Sequence, residues 1–213
     1  MEKFLKRRFR TAETDAARPV YLDKNILETP PLAIDAMTRE LARVSRMSGT
    51  LAKEALSAET NDRSRIQAQI ICINALITKI GSFNQKLAQQ NLSEESAEIL
   101  PSAMRVARYH NEIARLSGLI VMYSERFSQV TDSNTQRDIY NLKKITNKML
   151  NATIIDDEVD LSSANSRTLL HKLEKKYQKI KQHILDAMIE SRLSPKEGTD
   201  LLDSLSHIHR LAE

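Results

Sequence analysis

The sequence predicts an all-α protein: six long helices arranged as a tandem of two antiparallel three-helix bundles. Three observations lead there. Four glycines and five prolines in 213 residues are too few turn formers for a sheet fold, which needs them at every hairpin. Apolar residues recur by threes and fours over most of the chain, which is the spacing of one helix face. Short polar links carrying helix-start signals separate the stripes, and such links favour neighbours packed up and down at crossing angles of about 20°. With 41% hydrophobic and 28% charged residues, the composition is that of a folded chain.

Residues 1–20 read as a basic, irregular lead-in that ends at Arg18-Pro19, where the proline disfavours helix at the residue before it. The first bundle is expected over 21–130 and the second over 131–213. Thr29 ahead of Pro30-Pro31 is an N-cap followed by prolines that the first turn tolerates. The first helix then carries Ile34, Met37, Leu41, Val44, Ser48, Leu51 and Ala55 on one face. Asn61-Asp62 marks the start of the second, with Ile66, Ile70, Ile73, Ile77, Ile80, Asn84 and Leu87. The third opens at Ser93, with Glu94 and Glu95 in the first turn, where they suit the helix dipole. Its stripe is Ile99, Ala103, Val106, His110, Ile113, Ser117, Ile120, Ser124 and Phe127, and Pro101 either kinks it or marks its start.

Gln129 to Thr135 reads as a polar connection. A fourth helix carries Ile139, Leu142, Ile145 and Met149 and runs toward Val159. The acidic cluster Asp156-Asp157-Glu158 and Ser162-Ser163 separate it from a fifth, with Ser166, Leu170, Leu173, Tyr177, Ile180, Ile184 and Ala187. Ser194-Pro195 opens a sixth, an N-cap with proline at the first helical position, carrying Leu201, Leu205, Ile208 and Ala212. A faint repeat pairs Asn91-Leu92-Ser93-Glu94 with Arg192-Leu193-Ser194-Pro195, and Ile113-Ala114-Arg115-Leu116 with Ile208-His209-Arg210-Leu211, as a duplicated bundle would.

No catalytic constellation is legible, and no cofactor is expected. One cysteine, Cys72, excludes an intrachain disulfide framework and a cysteine-based zinc cage, and on its Ile-rich helix it reads as a buried, inert thiol. His207 and His209 fall on different helix faces, no His pair stands four apart, and His110 on an apolar stripe reads as a hydrogen-bonded core histidine. The cluster Asp156, Asp157, Glu158 and Asp160 lacks the glycine of a calcium loop and reads as a solvated helix end. Four glycines leave little material for a phosphate-binding loop.

Charge placement says more than net charge. Against 28 acidic residues, 32 basic ones give a net charge of only +4, and aromatics are 4%, so nucleic acid is not expected as a partner. There is no apolar signal-peptide core after the basic start and no run of about 18 apolar residues, so the chain as given is expected to be soluble. Lys3, Lys6, Arg7, Arg8 and Arg10, interleaved with Phe4, Leu5 and Phe9, form a basic start that reads either as a nucleic-acid-binding tail or as a segment held at an anionic membrane surface. Lys172, Lys175, Lys176 and Lys179 share one face of the fifth helix, and Lys143, Lys144 and Lys148 cluster on the fourth. Such faces are either solubilising or a contact for an anionic partner.

Arg8-Phe9-Arg10, Arg18-Pro19-Val20-Tyr21-Leu22-Asp23 and Leu27-Glu28-Thr29-Pro30-Pro31-Leu32-Ala33-Ile34 resemble the join between the membrane and cytoplasmic parts of bacterial Na+/phosphate cotransporter-family proteins. Leu92-Ser93-Glu94-Glu95, Arg105-Val106-Ala107, Leu193-Ser194-Pro195 through Gly198, Leu201-Leu202 and Ile208-His209-Arg210 extend the resemblance into a PhoU-like helical domain across essentially the whole chain. The resemblance implies a non-catalytic cytoplasmic regulatory domain of a sodium-dependent phosphate transporter. It would lie at the cytoplasmic face of the plasma membrane as part of an integral membrane protein, with the transmembrane portion N-terminal to this chain as partner. It leaves a homodimer open. Better-known members bind metal clusters through acidic residues on facing helices. Here Asn111 and Arg115 stand at two such positions, Ile70, Asn74 and Ile77 at others and Arg210 at another, so no metal site is carried over. The alternative from the residues alone is a stand-alone helical adaptor that binds acidic proteins or nucleic acid through its lysine faces.

Overall fold

The computed structural model describes residues 17–58, 60–130, 132–153 and 163–212. Among these the protein is all-helical, with six long helices and no strand. The helices are α1 (Pro30–Ser57), α2 (Arg63–Leu87), α3 (Glu94–Met122), a short α4 (Ser124–Gln129), α5 (Ser133–Thr153), α6 (Ser163–Ile189) and α7 (Pro195–Ala212). Single 3-10 turns at Lys24–Glu28 and Thr60–Asp62 lead into α1 and α2.

The helix boundaries follow local chemistry. Thr29 accepts from the Ala33 amide at 3.1 Å through its carbonyl, so α1 begins where the Thr-Pro-Pro run predicts. The Ser93 hydroxyl accepts from the Ser96 amide at 3.3 Å ahead of α3. Asp132 caps α5, its carboxylate accepting from the Thr135 amide at 2.8 Å and the Thr135 hydroxyl at 2.7 Å. These two bonds, with Arg192 nearby, hold its carboxyl below the usual range. At α7 the Ser194 hydroxyl accepts from the Glu197 amide at 3.3 Å, and Glu197 accepts from the Ser194 amide at 2.9 Å. This reciprocal pair is a capping box.

The end of α6 is closed by a left-handed residue. Ser191 has φ 58°. Its amide donates to the Met188 carbonyl at 3.1 Å, and the Arg192 amide donates to Ala187 at 2.8 Å. This pair of bonds is the Schellman arrangement, whose left-handed position usually holds glycine.

The chain forms two compact units. One compact unit is Met1–Leu51 with Gln67–Arg115, and the other is Ala52–Ile66 with Leu116–Glu213. In the first unit Met37, Leu41, Val44 and Leu51 of α1, Ile73, Leu76, Ile80 and Leu87 of α2, and Leu100, Ala103, Ala107 and Ala114 of α3 are buried. In the second unit α5, α6 and α7 pack against one another, and α4 packs against α7. The α5/α6 pair is antiparallel: Asp132 meets Arg192, Asp138 meets His183, and Ile145 lies beside Lys172 to Lys179. The α6/α7 pair is antiparallel too, with Gly198 against Met188 and His209 against Glu174 and Tyr177.

The structure corrects the stripe of α3 in two places. In α3 the buried residues are Leu100, Ala103, Ala107, Ala114, Leu116, Ser117, Ile120 and Val121, so Ala103, Ser117 and Ile120 of the expected stripe are buried, whereas Ile99 and Val106 are exposed and Ile113 is half-buried. Two adjacent rows are apolar there, and up to Ala114 the row of small alanines is the one turned inward. Ser124 and Phe127 do not continue α3, because the helix breaks at Tyr123 (φ −94°, ψ 1°) and restarts as α4. Pro101 lies inside α3. By length and composition α2 is the one described helix apolar enough to cross a membrane, yet its Ile66, Ile73, Leu76 and Ile80 are buried within the protein.

Two expectations follow. Ile73 is 0% exposed and Ile71 is 59% exposed on the same helix. Ile73→Asp should cost about 3–5 kcal/mol and unfold or loosen the first unit, and Ile71→Asp should stay within about 0.5 kcal/mol, as read by denaturant melts. Ser191→Gly should raise stability by about 0.5–1 kcal/mol, because it relieves the left-handed strain at the α6 terminus.

Candidate functional site

Lysines of α6 gather around a groove against α5. Lys172, Lys175, Lys176 and Lys179, spaced by threes and fours, line it with Ile145 of α5, and its volume is about 310 Å³. The sequence places these four on one helix face, and the antiparallel packing of α5 supplies the apolar floor. Lys172, Lys175 and Lys179 are exposed. Lys176 turns inward, its ammonium 3.8 Å from the Asp138 carboxylate. Asp138 is only 3% exposed and has His183 Nδ1 at 3.0 Å on its other oxygen.

The neighbouring cations sort by burial. Lys144 and Lys148 are exposed beside Ile145. Lys143, grouped with them by sequence, is half-buried with its ammonium 4.8 Å above the Phe127 ring, and burial lowers its pKa. It is part of the packing, a cation held on an aromatic face.

A second group fixes the segment ahead of α1. Glu40 is 0% exposed. One carboxylate oxygen accepts from the amides of Val20 at 2.8 Å and Tyr21 at 2.9 Å. The other accepts from Arg43 at 2.7 Å, and Arg43 also donates to the Arg18 carbonyl at 2.8 Å. The stretch Arg18–Tyr21 is therefore tied to α1 by three hydrogen bonds to one carboxylate–guanidinium pair. Sequence reasoning passed over Glu40, although its signal was present: it lies in phase with Met37, Leu41 and Val44 on the buried face.

The histidines occupy three settings. His110 is half-buried, with Nδ1 2.8 Å from the Ser48 hydroxyl, which itself donates to the Ser45 carbonyl at 3.0 Å. Burial pushes the His110 pKa down and favours the neutral ring. His209 stacks on Tyr177 with centroids 4.4 Å apart and meets Glu174 at 2.6 Å. A hydrogen bond from Gln178, then His209, holds the Glu174 carboxyl below its usual range. His207 stacks on Tyr123 at 5.8 Å, so the two histidines do serve different faces of α7.

Lys3, Lys6, Arg7, Arg8 and Arg10 and the cluster Asp156, Asp157, Glu158 and Asp160 lie outside the described residues. Among the described residues no group of three or more His, Cys, Asp or Glu could hold a metal ion. Arg115 forms a two-point ion pair with Glu112 on its own helix, at 2.8 and 2.7 Å, and Cys72 is buried.

The Glu40 group has a direct test. The Val20 and Tyr21 amides should be protected from hydrogen exchange although neither lies in a helix. Glu40→Gln should remove that protection and cost about 2–4 kcal/mol, because it leaves the Arg43 guanidinium without its counter-charge.

Comparison of the chain with protein-family models, with curated proteins and with solved structures finds no match in any of the three.

Proposed function

We propose that the chain is a non-catalytic cytoplasmic regulatory domain of a sodium-dependent phosphate transporter, modulating transport or signalling from the inner face of the plasma membrane. The family link rests on the resemblance of the Arg18–Asp23 and Leu27–Ile34 segments to the junction that follows the last transmembrane helix in bacterial Na+/phosphate cotransporter-family proteins. The observation that carries the reading is the Glu40–Arg43 clamp on Arg18–Tyr21. A regulatory domain needs a junction without slack, and two amides and one carbonyl bound to α1 supply a stiff one. Displacement of the chain ahead of Arg18 then moves α1 rather than being absorbed by a loose linker.

A second reading, a helical adaptor for an acidic protein, is favoured by the lysine groove of α5 and α6. It differs in needing no membrane portion.

Deleting the encoding gene should change sodium-dependent uptake of labelled phosphate by whole cells. The protein should fractionate with membranes and stay there through a high-salt wash. Complementation with Glu40→Gln at equal protein level should give altered uptake. Asp35→Asn, which removes an exposed pair with Arg39 at 2.8 Å on the same helix, should behave as wild type. Unchanged uptake on deletion, with the protein in the soluble fraction, overturns the transporter reading.

A further inference from the structure

We infer that the lysine groove between α5 and α6 is a seat for the phosphate headgroups of an anionic bilayer, a second membrane contact separate from the basic start of the chain. The inference deepens the proposed function and rests on its placing the chain at a membrane face.

The chemistry of the groove chooses this occupant. It is lined by Ile145 and four lysines, of which Lys172, Lys175 and Lys179 are exposed while Lys176 turns inward to Asp138. Long cationic side chains that lay their stems on apolar surface and lift the charge to a boundary are suited to a lipid interface. Lys144 and Lys148, close to Ile145 in sequence on α5, are exposed as well. Among the described residues of α5 and α6, no carboxylate is turned to the three exposed lysines. The carboxylates of α5 and α6 are Asp138, Glu174 and Asp186. Asp138 is buried, with Lys176 and His183 against its carboxylate. Glu174 is held by Gln178 and His209 on the side facing α7. Asp186 belongs to a different hollow, with Asp132, Glu190 and Arg192.

The kind of cation matters as well. Every cation lining the groove is a lysine. Arginine's rigid fork suits one fixed carboxylate or phosphate, whereas lysine is a mobile point charge that suits a surface whose anions shift position. An aromatic stacking platform of the kind that single-stranded nucleic acid uses is not part of the lining.

The test is sedimentation of the full chain with vesicles of phosphatidylcholine alone or mixed with phosphatidylglycerol, at low and at physiological salt. Wild type should bind only the anionic vesicles and release as salt rises. Charge reversal of the three exposed residues, Lys172→Glu, Lys175→Glu and Lys179→Glu together, should weaken binding by more than about a hundredfold at low salt, at roughly fivefold or more per lysine. Its helical circular dichroism and melting temperature should match wild type. The corresponding triple Lys→Arg variant should bind as wild type does, since only charge is needed. Retained binding by the Glu variant overturns the inference, and so does loss of binding only when Lys3, Lys6, Arg7, Arg8 and Arg10 are neutralised. Displacement from vesicles by millimolar inorganic phosphate assigns the groove to free phosphate instead. Tighter binding of polyglutamate than of vesicles assigns it to an acidic protein. The assay contains no transporter, so its failure leaves the uptake experiment to decide the proposed function independently.

Discussion

A carboxylate cannot be sealed from water without partners, and Glu40 is sealed completely. That constraint organises the N-terminal part of the described chain. Two backbone amides and a guanidinium must converge on the side chain, so Arg18–Tyr21 has to lie along α1. The same guanidinium holds the Arg18 carbonyl, which closes a loop of bonds between a non-helical segment and a helix. An apolar residue at this position would pack well enough, but it would leave the segment ahead of α1 with no fixed course. The carboxylate thus contributes specificity of placement beyond any net stability, since a buried ion pair alone is weak evidence for stability.

Asp138 obeys the same rule in the second unit. It stands on the core face of α5 between Thr135 and Leu142, and it draws His183 and Lys176 of α6 toward it. Those contacts fix how α5 and α6 slide against each other, because a shift of one turn would strand the charge. The register in turn places Ile145 beneath the lysines of α6 and creates the groove. The candidate contact surface is therefore a consequence of a buried polar pairing below it.

Cationic character is unevenly spent across this unit. Lys143 is taken up by Phe127, Arg126 lies 4.7 Å above the Tyr123 ring, and Arg192 bridges Asp132 and Glu190. The exposed lysines of α6 remain at the surface with no carboxylate of α5 or α6 turned toward them. A nearly neutral chain can in this way present a concentrated cationic face, which a net charge of +4 does not reveal.

By itself the sequence determined the helices and much of their termini. Turn residues are scarce, the apolar spacing is helical, and Thr29, Asn61-Asp62, Ser93 and Ser194-Pro195 mark starts through bonds made within a few residues. The capping box at Ser194 and Glu197 was readable too, as a serine followed three residues later by glutamate. Tertiary structure decided everything that depends on neighbours. It chose the alanine row of α3 over the adjacent Ile99 and Val106 row, since two apolar rows are equivalent until a partner helix covers one. It broke the chain at Tyr123, grouped the tip between α1 and α2 with the C-terminal helices, and removed Lys143 from the lysine cluster. Glu40 and Asp138 were visible as charges in phase with a stripe, but which distant amides and side chains would satisfy them was not. Local bonds are written in neighbouring residues, whereas burial is settled only by which surfaces meet.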